Sequence, residues 1–252
     1  MVGEALAWRA VETFTHDDFV AGLDRDVRRI TGLLGPADLG TEVRSCPGWR
    51  VRDLIEHLGG VHRWTTEIVR TRERASFPEP AIDHNLGEWF AEGAQTLIRA
   101  LTNTDPNLPC WTMAQPETVG FWSRRQAHEA LIHRWDLATA VGAAADLDPQ
   151  LAVDGIDEAV TMFFPRQIML GRQEPLTHAV AIVDAGSGRR WVIAGDGRAS
   201  DHDAAAVDAT VSGDGVHLLL LLWQRVRLTD VAVQVDGDRV AAQRVFDARL
   251  TP

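Results

Sequence analysis

Between Arg124 and Asp136 the chain reads R-R-Q-A-H-E-A-L-I-H-R-W-D. Glu129 and His133 stand four residues apart there, so on a helix both side chains leave the same face. A carboxylate and an imidazole aimed together are two thirds of a site for a first-row metal. A third ligand is available upstream in C-P-G-W-R-V-R-D-L-I-E-H-L-G-G-V-H-R-W, which carries His57 in a second apolar run of helical period. If the two helices pack, His57, Glu129 and His133 close a two-histidine, one-carboxylate set with coordination positions left open. That arrangement suits chemistry rather than structural stapling. Asp53, four residues before His57, and Asp136, three after His133, are candidates to orient the imidazoles; their plain alternative is a surface salt bridge with one of the arginines.

The plainer reading of Glu129 and His133 is an exposed i,i+4 pair, and other histidines compete for the third place. His62 lies five residues after His57, about 140° round the helix, and His128 points about 100° away from Glu129. Period alone does not choose between His57 and His62. His16, His84, His178, His202 and His217 have no partner at an interpretable spacing. Cys46 sits in a Pro-Gly turn with no nearby base, so it reads as structural rather than nucleophilic. The nine tryptophans read as core, with Trp49 and Trp122 as candidates to wall a pocket.

Four amphipathic helices must position these residues. Hydrophobic period predicts them over about Asp17–Leu34, Arg50–Arg72, Gly87–Thr102 and Thr118–Val141, with proline-rich breaks at Phe77–Ile82 and Pro106–Pro116. Together they predict a four-helix bundle over residues 1–145. From Asp148 the pattern changes to one helix over Pro149–Phe164, stopped by Pro165. Alternating β-type runs then follow at His178–Asp184, Arg190–Ala194, Ala206–Ser212 and Val231–Val235. Ala185–Gly188 and Gly195–Gly197 read as hairpin turns between the first strands. Helices over Gly215–Arg225 and Asp238–Arg249 complete a small α+β unit over residues 146–252.

Composition narrows the function classes. With 252 residues, two domains are expected. A net charge of −11 without a basic stripe argues against nucleic acid. The apolar run Leu218–Trp223 is too short to span a bilayer, and the first ten residues lack the pattern of a signal peptide. Two cysteines, Cys46 and Cys110, make no disulfide framework, so reduced thiols and a cytoplasmic location are expected. Lysine and tyrosine are absent while Arg, Ala and Gly are abundant. Those codons are GC-rich, which points to a high-GC genome such as an actinomycete's.

The two motif segments resemble the signature blocks of the mycothiol-dependent maleylpyruvate isomerase family, and the C-terminal L-L-L-L-L-W-Q-R extends the likeness over most of the chain. The resemblance implies an α+β fold class, with a DinB-like four-helix bundle followed by a small α+β C-terminal domain. It also implies a divalent metal, usually zinc, on His57, Glu129 and His133, which selects His57 over His62. Mycothiol would be the thiol cofactor. The family's W-G-R segment stands here as Trp223-Gln224-Arg225, so Arg225 would meet an anionic substrate; its plain alternative is a helix C-terminal cation. The implied activity is a thiol S-transferase or a cis–trans isomerase acting on a small electrophile. A zinc hydrolase with metal-activated water, and a non-enzymatic carrier of a small hydrophobic ligand, are the competing readings.

Overall fold

The computed structural model describes residues 14–79, 85–197 and 206–252. The sequence readings at His84, at His202, in the first ten residues and over part of the Phe77–Ile82 break lie outside them. Two compact units emerge, Phe14–Leu147 and Asp148–Pro252.

In the helical unit, α1 spans His16–Leu34, α2 Val51–Thr71, α3 Leu86–Thr102 and α4 Val119–Ala140. Thr15 and Asp18 start α1 reciprocally: the Thr15 hydroxyl accepts from Asp18 N–H at 3.2 Å, and Thr15 N–H donates to the Asp18 carboxylate at 2.8 Å. The stripe Phe19, Leu23, Val27, Ile30 and Leu34 is buried, as its period requires. Asp53 takes a role other than the expected one. Its carboxylate accepts from Arg50 N–H at 2.7 Å and so closes the first turn of α2, because a carboxylate at the third helical position is drawn to an unpaired amide at the helix start. Asn85 caps α3 by accepting from Gly87 N–H at 3.1 Å. A Cβ built at Gly59 would come within 2.0 Å of the Trp89 ring, so glycine is what lets α3 lie against α2.

α4 packs on both α1 and α2 and is buried nearly all round. Its Arg134 donates to Asp26 of α1 at 2.8 Å, with both side chains out of solvent. α2 and α4 run antiparallel: His57 meets Glu129, while one to two turns along, Trp64 packs edge-on against Trp122 at 5.3 Å between ring centroids.

The α+β unit begins with α5, Pro149–Glu158, capped by Asp148 with Pro149 in the first turn. The expected stop at Pro165 does not occur. A π turn over Ala159–Phe163 carries the chain into α6, Phe164–Met169, and Pro165 sits in the first turn of α6, where its missing N–H leaves no interior bond unmade. The sheet comprises β1 Leu176–Asp184, β2 Arg190–Gly195, β3 Ala209–Gly213 and β4 Gln234–Gly237, in the order β2-β1-β3-β4. β1 and β2 form the expected hairpin. The turn at Gly195–Gly197 does not make a second one, because β3 lies on the other edge of β1 and pairs with it in parallel, Val180 opposite Ala209. β4 pairs antiparallel with β3 and begins three residues later than its alternation predicts.

α7 spans Gly215–Leu222 and α8 Arg239–Asp247. α7 ends short of Arg225 because Gln224 turns left-handed, at φ 54°. That is a conformation glycine adopts freely; here the Gln224 side chain anchors it by donating to Ala248 O at 3.0 Å and Phe246 O at 3.2 Å. No helix among the described residues is long and apolar enough to cross a membrane.

Candidate metal centre

His57 reaches the site from α2, and Glu129 and His133 from consecutive turns of α4. His57 Nε2 lies 3.0 Å from Glu129 Oε1, and His133 Nε2 lies 3.4 Å from the same oxygen. The two imidazole rings stand edge to face, 5.2 Å between centroids. One donor atom from each of the three residues lies within 4.8 Å of the other two. Metal bonds of ~2.0–2.1 Å place the ligand atoms of a tetrahedral ion about 3.4 Å apart, so these separations suit a zinc-sized cation.

The neighbours fix which lone pairs face inward. Asp136 Oδ2 accepts from His133 Nδ1 at 2.8 Å; an ionised carboxylate only accepts, so Nδ1 carries the proton. In the neutral ring Nε2 then presents a lone pair toward the Glu129 carboxylate. Two acceptors facing each other in a buried site demand a positive charge between them, a proton or a metal ion. Burial works against charge on His133, but the bonds to Asp136, Cys46 and Glu129 outweigh it and hold the ring's pKa well above its ordinary value. Burial likewise raises Glu129, yet Arg125 and the two histidines hold its carboxyl well below the usual range. Arg125, one turn before Glu129 and almost fully buried, donates to Glu129 Oε2 and leaves Oε1 to the imidazoles. These residues therefore fit a divalent cation, which would take the place of the His133 proton.

The loop before α2 closes one side. Glu42 and Arg50 form an isolated β-bridge, Val43 N–H donates to Trp49 O at 2.9 Å, and Gly48 takes a φ of 85° to turn the chain within the loop. Trp49 is thereby stacked 6.2 Å from the His133 ring and 5.0 Å from that of His57. Trp122, the other expected wall, is instead fully buried among Trp64, Trp111 and Phe121. The same loop corrects the reading of Cys46: a base is near it, because its Sγ lies 3.5 Å from Asp136 Oδ2, beside His133. Cys46, His133 and Asp136 thus form a second group of ligand-type atoms on the Nδ1 side of the ring. There Asp136 Oδ2 is already engaged by the His133 N–H, so this group is satisfied by its own proton.

Asp136 stands where an orienting carboxylate is expected, whereas Asp53 does not. His62 and His128 are buried against Phe90 and Phe19. Arg125 was legible in the sequence, four residues before Glu129, but the spacing that singles out His133 hid it on the other side. Arg225 lies in the α+β unit, where its guanidinium donates to Trp223 O at 2.9 Å and stands 5.7 Å from the Trp223 ring centroid.

Comparison with known proteins gives two family matches in series. The family described as the mycothiol maleylpyruvate isomerase N-terminal domain matches residues 20–138, and its C-terminal domain matches residues 150–244. Two uncharacterized proteins of Mycobacterium tuberculosis, from strains CDC 1551 / Oshkosh and ATCC 25618 / H37Rv, are each 28% identical over 131 residues. That match spans 48% of this chain and 65% of the length of those relatives. Among solved structures, a histidine-to-alanine mutant of the mycothiol-dependent maleylpyruvate isomerase aligns with a TM-score of 0.63 at 12% identity, covering 90% of this chain and 95% of the other. The unmutated isomerase aligns with a TM-score of 0.59 at 14% identity, covering 91% and 97%. At such identities the likeness establishes the fold.

Proposed function

The chain belongs to the mycothiol-dependent maleylpyruvate isomerase family, and from that premise we propose that it is a cytoplasmic enzyme that activates mycothiol on a divalent metal for attack on a small electrophile. The observation that carries this reading is the convergence of His57 Nε2 and His133 Nε2 on one oxygen of Glu129, with Asp136 behind the second ring. A bound zinc ion would supply one thing: it holds a thiol, whose pKa is ordinarily near ~8.5, as the thiolate at neutral pH.

The protein's own groups do the rest. Asp136 keeps the His133 proton on Nδ1 so that Nε2 is free to bind. Arg125 neutralises Glu129 and fixes its rotamer. Trp49 covers one flank, while the His57 side chain remains 32% exposed and marks the open side through which thiol and substrate arrive. Held by His57, Glu129 and His133 through the metal, such a thiolate would be supplied as the nucleophile for an electrophilic carbon. With a conjugated cis double bond that chemistry would allow isomerisation to the trans form by reversible addition, and with protonation of the adduct it would give the S-conjugate. The family resemblance offers Arg225, in the α+β unit, for an anionic substrate group, against its plain role of donating to Trp223 O.

The test is elemental analysis followed by an assay of one reactive electrophile with and without mycothiol. One divalent ion per chain is expected, lost in His57→Ala and His133→Ala and retained in His62→Ala, with turnover that requires the thiol. Equal turnover without thiol would establish the hydrolase instead, and a protein that binds no metal would be the carrier.

A further inference from the structure

Among the bundle's polar side chains with orphaned atoms are three that stand on α2 and α4 and are not metal ligands. His62 at both ring nitrogens, Thr65 at Oγ1 and Gln126 at Oε1 lack hydrogen-bond partners among the described residues, and none is more than 1% exposed. They share one level of the fold. The antiparallel register that joins His57 to Glu129 and Trp64 to Trp122 brings His62 and Thr65 level with the first half of α4, where Gln126 stands, with His62 entering the interior from the side of Phe90 on α3. Thr65 follows His62 by three residues, on the same face of α2. Gln126 precedes His133 by seven residues, about 20° from it round α4, and so turns toward the bundle interior as His133 does.

Thr65 is informative by contrast with its neighbours. Thr66 and Thr71, on the same helix, each donate the hydroxyl to the carbonyl four residues back, His62 O and Glu67 O, at 2.8 Å. Thr65 makes no such bond to Val61. A hydroxyl that declines the nearest acceptor, beside an imidazole and an amide oxygen in the same state, would be costly in a dry core.

We propose that His62, Thr65 and Gln126 enclose an internal water site in the centre of the helical bundle, about one turn beneath the His57–Glu129–His133 cluster. The chemistry of the set selects water. Burial pushes the His62 pKa down to about 3, against an upward pull from Glu129, so the ring is neutral and offers one donor and one acceptor. The Thr65 hydroxyl donates and accepts, and the Gln126 carbonyl accepts. Water matches that mixture, since it donates two hydrogen bonds and accepts two; a bare cation or anion requires partners of one sign. The two nitrogens of one imidazole face apart, so a satisfied site holds at least two molecules, each with the two to four partners usual for buried water. Bridging α2 to α4 at this level holds the helix spacing on which the His57–Glu129 approach depends.

Thr65→Val keeps the side-chain shape and removes only the hydroxyl, so the sign of its effect is diagnostic. A water that loses a partner lowers the Tm by a few degrees, whereas removing a truly orphaned hydroxyl raises it. The triple variant His62→Leu, Thr65→Val, Gln126→Leu leaves no water short of partners, and its Tm should fall by less than the sum of the three single losses. A rise in Tm for Thr65→Val, or strictly additive losses, would overturn the site. If the triple variant fails to fold, a high-resolution crystal structure of the wild-type protein decides: ordered water within hydrogen-bond reach of His62 supports the proposal, and apolar atoms packed against both ring nitrogens refute it.

Discussion

Eleven of the fifteen buried polar or charged side chains among the described residues lie in the helical unit, and seven of those are on α4. The α+β unit uses such groups differently. Asp184, for example, ties the β1–β2 turn by accepting from Ser187 N–H and its hydroxyl at 2.7 and 2.6 Å. Its interior is filled by Val180, Ile182, Val211 and the leucines of α7. The bundle therefore holds most of the molecule's buried charge, while the α+β unit, of charged side chains, buries only Glu158 and Asp184 among the described residues. Desolvated charge costs stability unless it is paired; here Arg125, Glu129, His133 and Asp136 pair with one another, and Asp26 pairs with Arg134. The difference teaches that the bundle tolerates an expensive interior because its chemistry resides there, while the α+β unit is built as a conventional apolar scaffold.

The largest expected effect is acid sensitivity confined to the bundle. The His62 pKa falls from 6.5 to about 3 in the fold, so the native state binds fewer protons than the unfolded chain and its stability is lost as pH drops through that window. At ~1.36 kcal/mol per pH unit this amounts to roughly 5 kcal/mol. Thermal melts of the wild type should fall steeply between pH 6.5 and 3, and His62→Leu should flatten that slope. An unchanged slope in the variant would remove His62 from the account.

Next in size is Arg134→Leu, which strands the Asp26 carboxylate in the core. Breaking one side of a buried pair costs about 3–5 kcal/mol, measurable by urea denaturation, and Asp26→Leu in the same chain should recover most of it. A loss no greater than that of an exposed pair such as Arg28–Asp24 would make the contrast between the two units meaningless. Asp136→Asn should weaken metal binding by about 10–100-fold, as expected for a partner that orients a ligand; competition with a chelator measures it. The smallest effect belongs to the α+β unit. Arg225→Ala should raise KM a few-fold for carboxylate substrates alone, and an equal change for neutral substrates would return Arg225 to its contact with Trp223.

The elements of the bundle were legible because α1, α2 and α3 each bury one stripe, which hydrophobic period reports directly. α4 is buried on nearly every side with arginines, histidines and Asp136 inside, so its motif was readable while its packing was not. The metal candidates follow from spacing and resemblance, yet spacing could not separate an Asp136 that meets a ring nitrogen from an Asp53 that meets a backbone amide. Both lie within one turn of a histidine, and only the position relative to the helix start decides. Cys46 and Trp49 join the site through a loop whose ends pair at Glu42 and Arg50, a contact without periodic signal. In the α+β unit, alternation reveals strands but not partners, so the parallel pairing of β1 with β3 stayed hidden. The π turn before Pro165 was hidden too, since proline in a helix's first turn and proline ending one look alike in sequence.

The Asp26–Arg134 pair has a consequence for the order in which the molecule is made. Its two partners are 108 residues apart and belong to the first and last helices of the bundle. Synthesised at about 5–20 residues per second, a nascent chain carries Asp26 for roughly 5–20 s before Arg134 exists. His57 waits about two thirds as long for Glu129, 72 residues later. Until α4 emerges, α1 to α3 can associate only with an unneutralised carboxylate on the face that α4 will cover, a charge whose burial is costly until it is paired. The ion pair thus acts as a latch set by the ribosome's timing: the bundle closes, and the candidate site is completed, in the same event.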